Sequence, residues 1–366
     1  MNDLIYENFL KPLLFNLEPE LAHSLSLKAF KAIAPIHKSL NLTYKNPLLE
    51  TKLAGTNIPN PFGMASGFDK NGEYIDLICS LGFGFMEIGS ITNLPSMGNP
   101  KPRLFRLTKD KALINRMGLN NIGAIKVAKN LEKQRNNFLF GLNIAKSNIL
   151  FNSIDKEIDD IISAFNILKN IPCLYIALNL SCPNTKDGII KESDMLSNLL
   201  SLINQENTKN IPIFLKLSPD LDLSVLENFI DIAIKHSVNG YICGNTSISR
   251  DNLSTDKSTI NTIGPGGLSG KPVFKLNLKL VQEVYKLKAK DQEIIGCGGI
   301  FCASDAFNYI VSGANALQVY TGIVYNGPGF MAKMNKELLG ILGANKFNIA
   351  SAVGLYHSGY KLINLP

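Results

Sequence analysis

No two cysteines of this chain stand in a C-x-x-C pair. The six are Cys79, Cys173, Cys182, Cys243, Cys297 and Cys302, scattered singly along 366 residues. The usual zinc and iron–sulfur ligand spacings are therefore missing, so no metal is expected. The scatter suits a reducing compartment. No apolar run is long enough to cross a bilayer as a helix. No basic run is dense enough for a nucleic-acid surface, although the net charge is +7. That modest excess suits anionic ligands or an anionic membrane face. No G-x-G-x-x-G follows a first strand, which leaves a Rossmann nicotinamide site unsupported. The N-terminal stretch has acids and no Arg, so it reads as neither a secretory signal nor a mitochondrial presequence.

What is present is an ordinary globular composition, 45% hydrophobic and 18% charged. The length suits one large α/β domain with something small attached. Residues 1–45 are the small part. Ile5, Tyr6, Phe9, Leu10, Leu13, Leu14 and Leu17 recur at helical spacing, with Pro12 as a kink or a helix start. Leu21, Ala22, Leu25, Ala29, Phe30 and Ile33 form a second stripe, edged by Lys28, Lys31, Lys38 and Lys45. Such a pattern fits a helical pair lying in a membrane interface, and equally one packed on the main domain.

Residues 46–366 alternate in type. Eight apolar runs read as strands: 61–65, 83–90, 138–145, 173–180, 211–217, 240–245, 293–298 and 316–320. Helix-like segments lie between most of them, at 72–81, 122–134, 154–168, 223–236, 272–288, 303–311 and 329–342. The pattern predicts an α/β fold, a (β/α)8 TIM barrel carrying a small N-terminal helical extension. A doubly wound open sheet rarely uses eight such units without a break in composition. The two long inserts, 91–121 and 246–271, both follow a strand exit, where a barrel places its active site.

The chemistry clusters at those exits. One buried strand runs into Asn179-Leu180-Ser181-Cys182-Pro183-Asn184-Thr185. Pro183 bars helix at Cys182. The two amides can each give and accept hydrogen bonds, as a polar heterocycle requires. Cys182 between them could serve, deprotonated, as base or nucleophile. Other exits carry Ser66, Gly67, Lys70, Ser90, Asn143, Asn245 and Thr246. Lys216 stands inside the apolar pattern Ile213–Leu217, so it points into the barrel mouth and needs a partner there. Glycine turns at Gly298-Gly299 and at Tyr320-Thr321-Gly322 end the seventh and eighth strands, where barrels commonly bind a phosphate. A third glycine loop, Gly264–Gly270, follows the sixth strand. Together they favour a phosphate-bearing cofactor over plain tight turns.

In combination and order, the blocks Asn60–Lys70, Lys101–Leu107, Ile114–Asn121, Asn179–Thr185, Gly266–Gly270, Gly298-Gly299 and Tyr320-Thr321 make the chain resemble the dihydroorotate dehydrogenase family along nearly its whole length. Residues Leu17–His23 resemble the N-terminal extension of its quinone-dependent, membrane-associated class, which the soluble fumarate- or NAD-linked classes lack. The resemblance implies one flavin mononucleotide (FMN) per chain, oxidation of dihydroorotate to orotate in pyrimidine biosynthesis, and a membrane quinone as electron acceptor. It implies peripheral attachment to the cytoplasmic side of a bacterial inner membrane and no obligate protein partner.

By the same resemblance, the flavin lies against Ser66, Gly67, Phe68, Asp69, Lys70, Ser90, Asn143, Asn179 and Lys216, with Gly270, Gly299, Tyr320 and Thr321 at its phosphate end. Orotate is held by Lys70, Asn115, Arg116, Met117, Gly118, Leu119, Asn179, Asn184, Asn245 and Thr246. His23 and Arg103 line the quinone tunnel. The base is Cys182, where the quinone class usually has Ser and the soluble classes have Cys. A thiol ionises far closer to neutrality than a hydroxyl, so a Cys base is expected to work at lower pH than a Ser base. At Gly244 a family threonine is replaced. Two alternatives remain: a soluble flavin dehydrogenase using fumarate or a partner subunit, and a phosphate-binding barrel of other chemistry.

Overall fold

The computed structural model describes residues 6–39 (side chains to residue 29), 45–134, 138–180 and 193–363. Its first strands, β1 (Thr51–Leu53) and β2 (Thr56–Ile58), pair antiparallel. Ala54 and Gly55 between them both take positive φ, as a two-residue hairpin turn demands. Leu53 and Ile58 pack into the same buried cluster as Phe85, Tyr175 and Phe214, so this hairpin plugs one end of the barrel.

The eight expected strands are all present. They are β3 (Phe62–Met64), β4 (Phe85–Ile91), β7 (Phe140–Ile144), β8 (Ile176–Asn179), β9 (Ile213–Leu217), β10 (Gly240–Cys243), β12 (Glu293–Cys297) and β13 (Ala316–Val319). Every neighbouring pair is parallel, and β13 returns to β3, closing the barrel. Both faces of these strands are covered, which is why their sequences read as apolar runs with little alternation. Inside, three glycines make room for three rings. A Cβ on Gly63, Gly141 or Gly240 would collide with the ring of Phe85, Tyr175 or Phe214 respectively. These rings fill the lower barrel and leave polar side chains for the layer above.

Helices cover the outside. Ile154–Leu168 buries Ile158, Ile161, Phe165 and Leu168 at helical spacing, and the Ser153 side chain accepts from the Lys156 N–H at its start. Ser193–Glu206 was not among the expected helices. Its stripe of Met195, Leu196, Leu199, Leu200 and Ile203 is buried like the others.

The two long inserts are not separate loops. The first supplies β5 (Leu104–Leu107) and β6 (Ala112–Asn115), and the second supplies β11 (Gly267–Gly270). β6 pairs antiparallel with both, making a three-stranded sheet beside the barrel mouth. Asp110 ties the inserts together by accepting from the N–H groups of Ser254 at 2.5 Å and Thr255 at 3.1 Å.

The N-terminal segment is helical from Tyr6 to Phe15 and again from Pro19 to Ser39. Pro12 lies in the first turn of the α-helical part, where its missing N–H costs nothing. The segment packs on the barrel: Tyr6 Oη donates to Val324 O at 2.7 Å, and Phe15 meets Tyr325 edge-on at 5.3 Å. Its other face exposes Phe9, Leu13, Leu21 and Leu25. The stripe thus has a packed side and an open side.

Candidate active site

Above the ring layer the barrel holds a buried acid. Glu87 on β4 is fully covered, and both its oxygens are occupied. Oε1 accepts from Asn143 Nδ2 at 2.9 Å and from Lys216 Nζ at 3.1 Å, and Oε2 accepts from Tyr175 Oη at 3.0 Å and Gln318 Nε2 at 2.7 Å. Burial works to raise the Glu87 pKa. The Lys216 charge and the donated hydrogen bonds outweigh it, so the carboxyl is held below its ordinary range. This is the partner that the position of Lys216 demanded. Lys216 Nζ also donates to Ser66 Oγ at 3.0 Å.

Over this layer, at the strand exits, opens a cavity of about 310 Å³. It brings together twelve of the thirteen expected cofactor residues: Ser66, Gly67, Phe68, Asp69, Lys70, Ser90, Asn179, Lys216, Gly270, Gly299, Tyr320 and Thr321. The thirteenth, Asn143, lies just beneath, with its Oδ1 buried and without a partner among the described residues. Of the expected substrate residues, Asn115, Met117, Gly118, Leu119, Asn245 and Thr246 join Lys70 and Asn179 on its lining. Arg116 does not: its guanidinium donates to the carbonyls of Ile263 and Pro265 and stacks over Phe105 at 4.6 Å. Cys182 and Asn184 lie outside the described residues.

The amides are pre-aimed. Asn245 Nδ2 donates to Asn179 Oδ1 at 3.4 Å, Asn179 Nδ2 donates to Ser90 Oγ at 2.9 Å, and Asn115 Nδ2 donates to Gly267 O at 3.2 Å. Lys70 Nζ donates to Asn120 Oδ1 at 2.5 Å. At the opposite side, Gly299 has a positive φ, and a Cβ there would stand 2.6 Å from the Phe274 Cα, so only bare backbone fits. Gly244, assigned no role from sequence, has the same kind of reason: its Cβ would collide with Cys297 O.

A second, smaller cavity of about 110 Å³ lies beneath the N-terminal helices. It is lined mainly by apolar groups, including Leu14, Phe15, Ala22, Leu27, Leu77, Ile323 and Val324. His23, Phe68, Leu104, Leu113 and Tyr320 line both cavities and form their common wall. Phe68 is central to it, edge-on to His23 at 5.1 Å and to Tyr320 at 5.7 Å. Burial, with the Lys70 charge, pushes His23 down to about 4.

Arg103, expected to line a quinone tunnel, lines neither cavity. It donates to both carboxylate oxygens of Glu20, at 2.6 and 3.1 Å, and to the carbonyls of Met97 and Asn99. The arginine that lines the second cavity is Arg106, which donates to the carbonyls of Leu14, Phe15 and Leu17 and lies over the Phe15 ring at 4.7 Å. Both arginines sit in one short block, and the alternation of β5 decides which faces inward. Glu87 was missed too, although a lone acid inside the apolar run Phe85–Ile88 is the signal of a buried partner.

A closed parallel barrel with a polar cavity at its strand exits, a bare glycine turn after its seventh strand and a short helix opening at Thr321 after its eighth places the chain among the TIM-barrel enzymes. The family model described as dihydroorotate dehydrogenase matches residues 48–342. The quinone-type dihydroorotate dehydrogenase of Nostoc punctiforme is 39% identical, covering 96% of this chain and 98% of its own. That of Trichodesmium erythraeum is 37% identical with the same coverage. The crystal structure of the Eimeria tenella dihydroorotate dehydrogenase in complex with ferulenol superposes with a TM-score of 0.84 at 32% identity, covering 98% of this chain and 100% of that one. The chain belongs to the dihydroorotate dehydrogenase family.

Proposed function

We propose that the chain oxidises (S)-dihydroorotate to orotate on a single bound FMN in the large cavity, and passes the electrons to a membrane quinone seated in the apolar channel. This is a step of pyrimidine (UMP) biosynthesis. What carries the proposal is the wall shared by the two cavities: a water-soluble substrate and an apolar acceptor each have a compartment suited to them, one aromatic layer apart.

The residues present fit a flavin. Asn143 Oδ1, buried and without a partner among the described residues, suits a flavin ring N–H. Bare backbone at Gly298-Gly299 and Gly270, with the Thr321 hydroxyl, suits a phosphate. When bound, FMN supplies the hydride acceptor and the relay of two electrons. Ser66, Ser90, Asn179 and Lys216 orient its ring. Lys70, Asn115, Asn179, Asn245 and Thr246 hold the carboxylate, carbonyls and N–H groups of the substrate, a role the family resemblance also gives to Asn184. Cys182 takes the C5 proton. Among the described thiols, burial pushes Cys173 up to about 12 and Cys297 up to about 11, so both stay protonated near neutrality and are poor bases.

Residues 1–45 form the membrane-facing segment and residues 46–366 the flavin barrel. None of the described helices is long and apolar enough to span a membrane. The outward Phe9, Leu13, Leu21 and Leu25 suit attachment from one side, here the cytoplasmic face of a bacterial inner membrane.

The test is anaerobic addition of dihydroorotate to the purified protein while flavin absorbance is followed. Bleaching that a quinone reverses and fumarate does not is the expected result. A colourless protein, or one reoxidised by fumarate, overturns it.

A further inference from the structure

The buried acid beneath the cavity does not line it, yet four side chains donate to its carboxylate. We propose that Glu87 is a positioning residue for the redox centre: it fixes the ammonium of Lys216 at the cavity floor and offsets its charge, and so sets the reduction potential of the bound flavin. This rests on the flavin assignment made above.

Three observations carry it. First, Glu87 is completely buried and Lys216 nearly so, at 0% and 4% side-chain exposure, with 3.1 Å between the charged atoms. Water screens such a pair little, so each charge is felt strongly by its surroundings. Secondly, the geometry leaves the carboxylate no freedom. Asn143, Tyr175 and Gln318 donate to it from β7, from the residue before β8 and from β13, and Lys216 donates from β9. It is held from four sides. Thirdly, Lys216 alone of this set also lines the cavity, where its Nζ meets Ser66 Oγ. The acid therefore acts on the cavity through the lysine.

The sign follows from charge. Reduction adds electron density to the ring. An ammonium at the floor favours the reduced form, and a carboxylate 3.1 Å behind it weakens that preference. Removing the carboxylate charge takes away that offset and makes the flavin easier to reduce.

The experiment is a spectroelectrochemical titration of purified holoenzyme for wild type, Glu87→Gln, Glu87→Asp and Tyr175→Phe. Glu87→Gln is expected to raise the equilibrium ratio of reduced to oxidised flavin at least about tenfold at fixed potential, a midpoint about 30 mV higher. Glu87→Asp keeps the charge but withdraws it, and shifts the ratio the same way by less. Tyr175→Phe removes one donor and no charge, and stays within about threefold of wild type. An unshifted midpoint in Glu87→Gln overturns the proposal. So does a shift in Tyr175→Phe as large as that in Glu87→Gln, because packing would then be the cause. If Glu87→Gln does not fold, the sign in Glu87→Asp decides. A wild-type protein that binds no flavin would sink the functional assignment instead, which keeps the two failures apart.

Discussion

The cavity over the barrel mouth and the channel beneath the N-terminal helices share five wall residues but are built by different means. The first is framed by side chains from strands whose register is fixed by a closed barrel, and its floor is a buried ion pair with four further polar partners. The second is framed by two helices, and three backbone carbonyls at the end of the first reach Arg106. One side of that helical segment packs, and the other exposes large apolar groups. The barrel side can place atoms to within a fraction of an ångström, as proton and hydride transfer require. The helical side needs only to shelter an apolar molecule and present an open face, so a looser construction suffices. With the half-reactions divided between the two cavities as proposed, each can therefore be disturbed separately.

The largest effect is expected on the barrel side. Lys216→Met leaves the Glu87 carboxylate buried without its countercharge. Breaking such a pair costs about 3–5 kcal/mol. Denaturant unfolding should register that loss, and the purified variant should carry less flavin. A variant as stable as wild type would mean that Glu87 takes up a proton when its partner goes, and the floor of the cavity would be less rigid than its hydrogen bonding implies.

On the channel side the corresponding cut is Arg106→Leu. It strips the charged donor from Leu14 O, Phe15 O and Leu17 O, at about 2 kcal/mol of stability. The KM for quinone is expected to rise about tenfold, while flavin bleaching by dihydroorotate in a single turnover stays within about twofold. Equal damage to both half-reactions would show the two regions to be mechanically one. Arg103→Leu, which frees Glu20 rather than the channel, is the matched control.

How far the chain discloses this design depends on range. Strand order was legible because buried parallel strands are apolar on both faces, and the glycine turn at 298–299 falls in the right unit, whereas the turn expected at 320–322 is the start of the helix Thr321–Asn326. Twelve of the thirteen residues expected at a cofactor reach one cavity, most of them because an exit position on a barrel strand has only one place to point. What stayed hidden depends on pairing between distant segments. Nothing local in 104–115 and 267–270 says that β6 will take both β5 and β11 as neighbours. Nor does the block 101–107 reveal which of Arg103 and Arg106 the sheet turns toward the channel.

The shared wall offers a finer probe through pH. His23 ionises near 6.5 in an unfolded chain, and burial with the Lys70 charge holds it to about 4 in the folded one. Between those values the unfolded chain binds a proton that the folded chain refuses. Stability therefore falls as pH drops from about 6.5 towards 4, by an amount on the order of 1–2 kcal/mol after allowance for partial exposure. His23→Gln should flatten that slope in denaturant melts run across the window. A slope unchanged by the substitution would place the titrating group elsewhere.

The smallest effect on stability is expected at the open face, and there the two regions differ most. Phe9 is 72% exposed and Leu13 64%, so Phe9→Ser with Leu13→Ser removes almost no packing, and each change should stay within about 0.5 kcal/mol. If that face meets a bilayer, the same side chains are buried there instead. Full burial of a Phe or Leu side chain contributes about 1.5–3 kcal/mol, which is roughly tenfold or more in partitioning for each. Co-sedimentation with vesicles of phosphatidylglycerol and phosphatidylethanolamine should therefore drop steeply in the double variant, while its melting temperature and its reduction by dihydroorotate hold. Undiminished sedimentation would move the membrane contact off these helices. A collapsed melting temperature would mean instead that the exposed face is part of the fold, and that the two regions are less independent than their construction suggests.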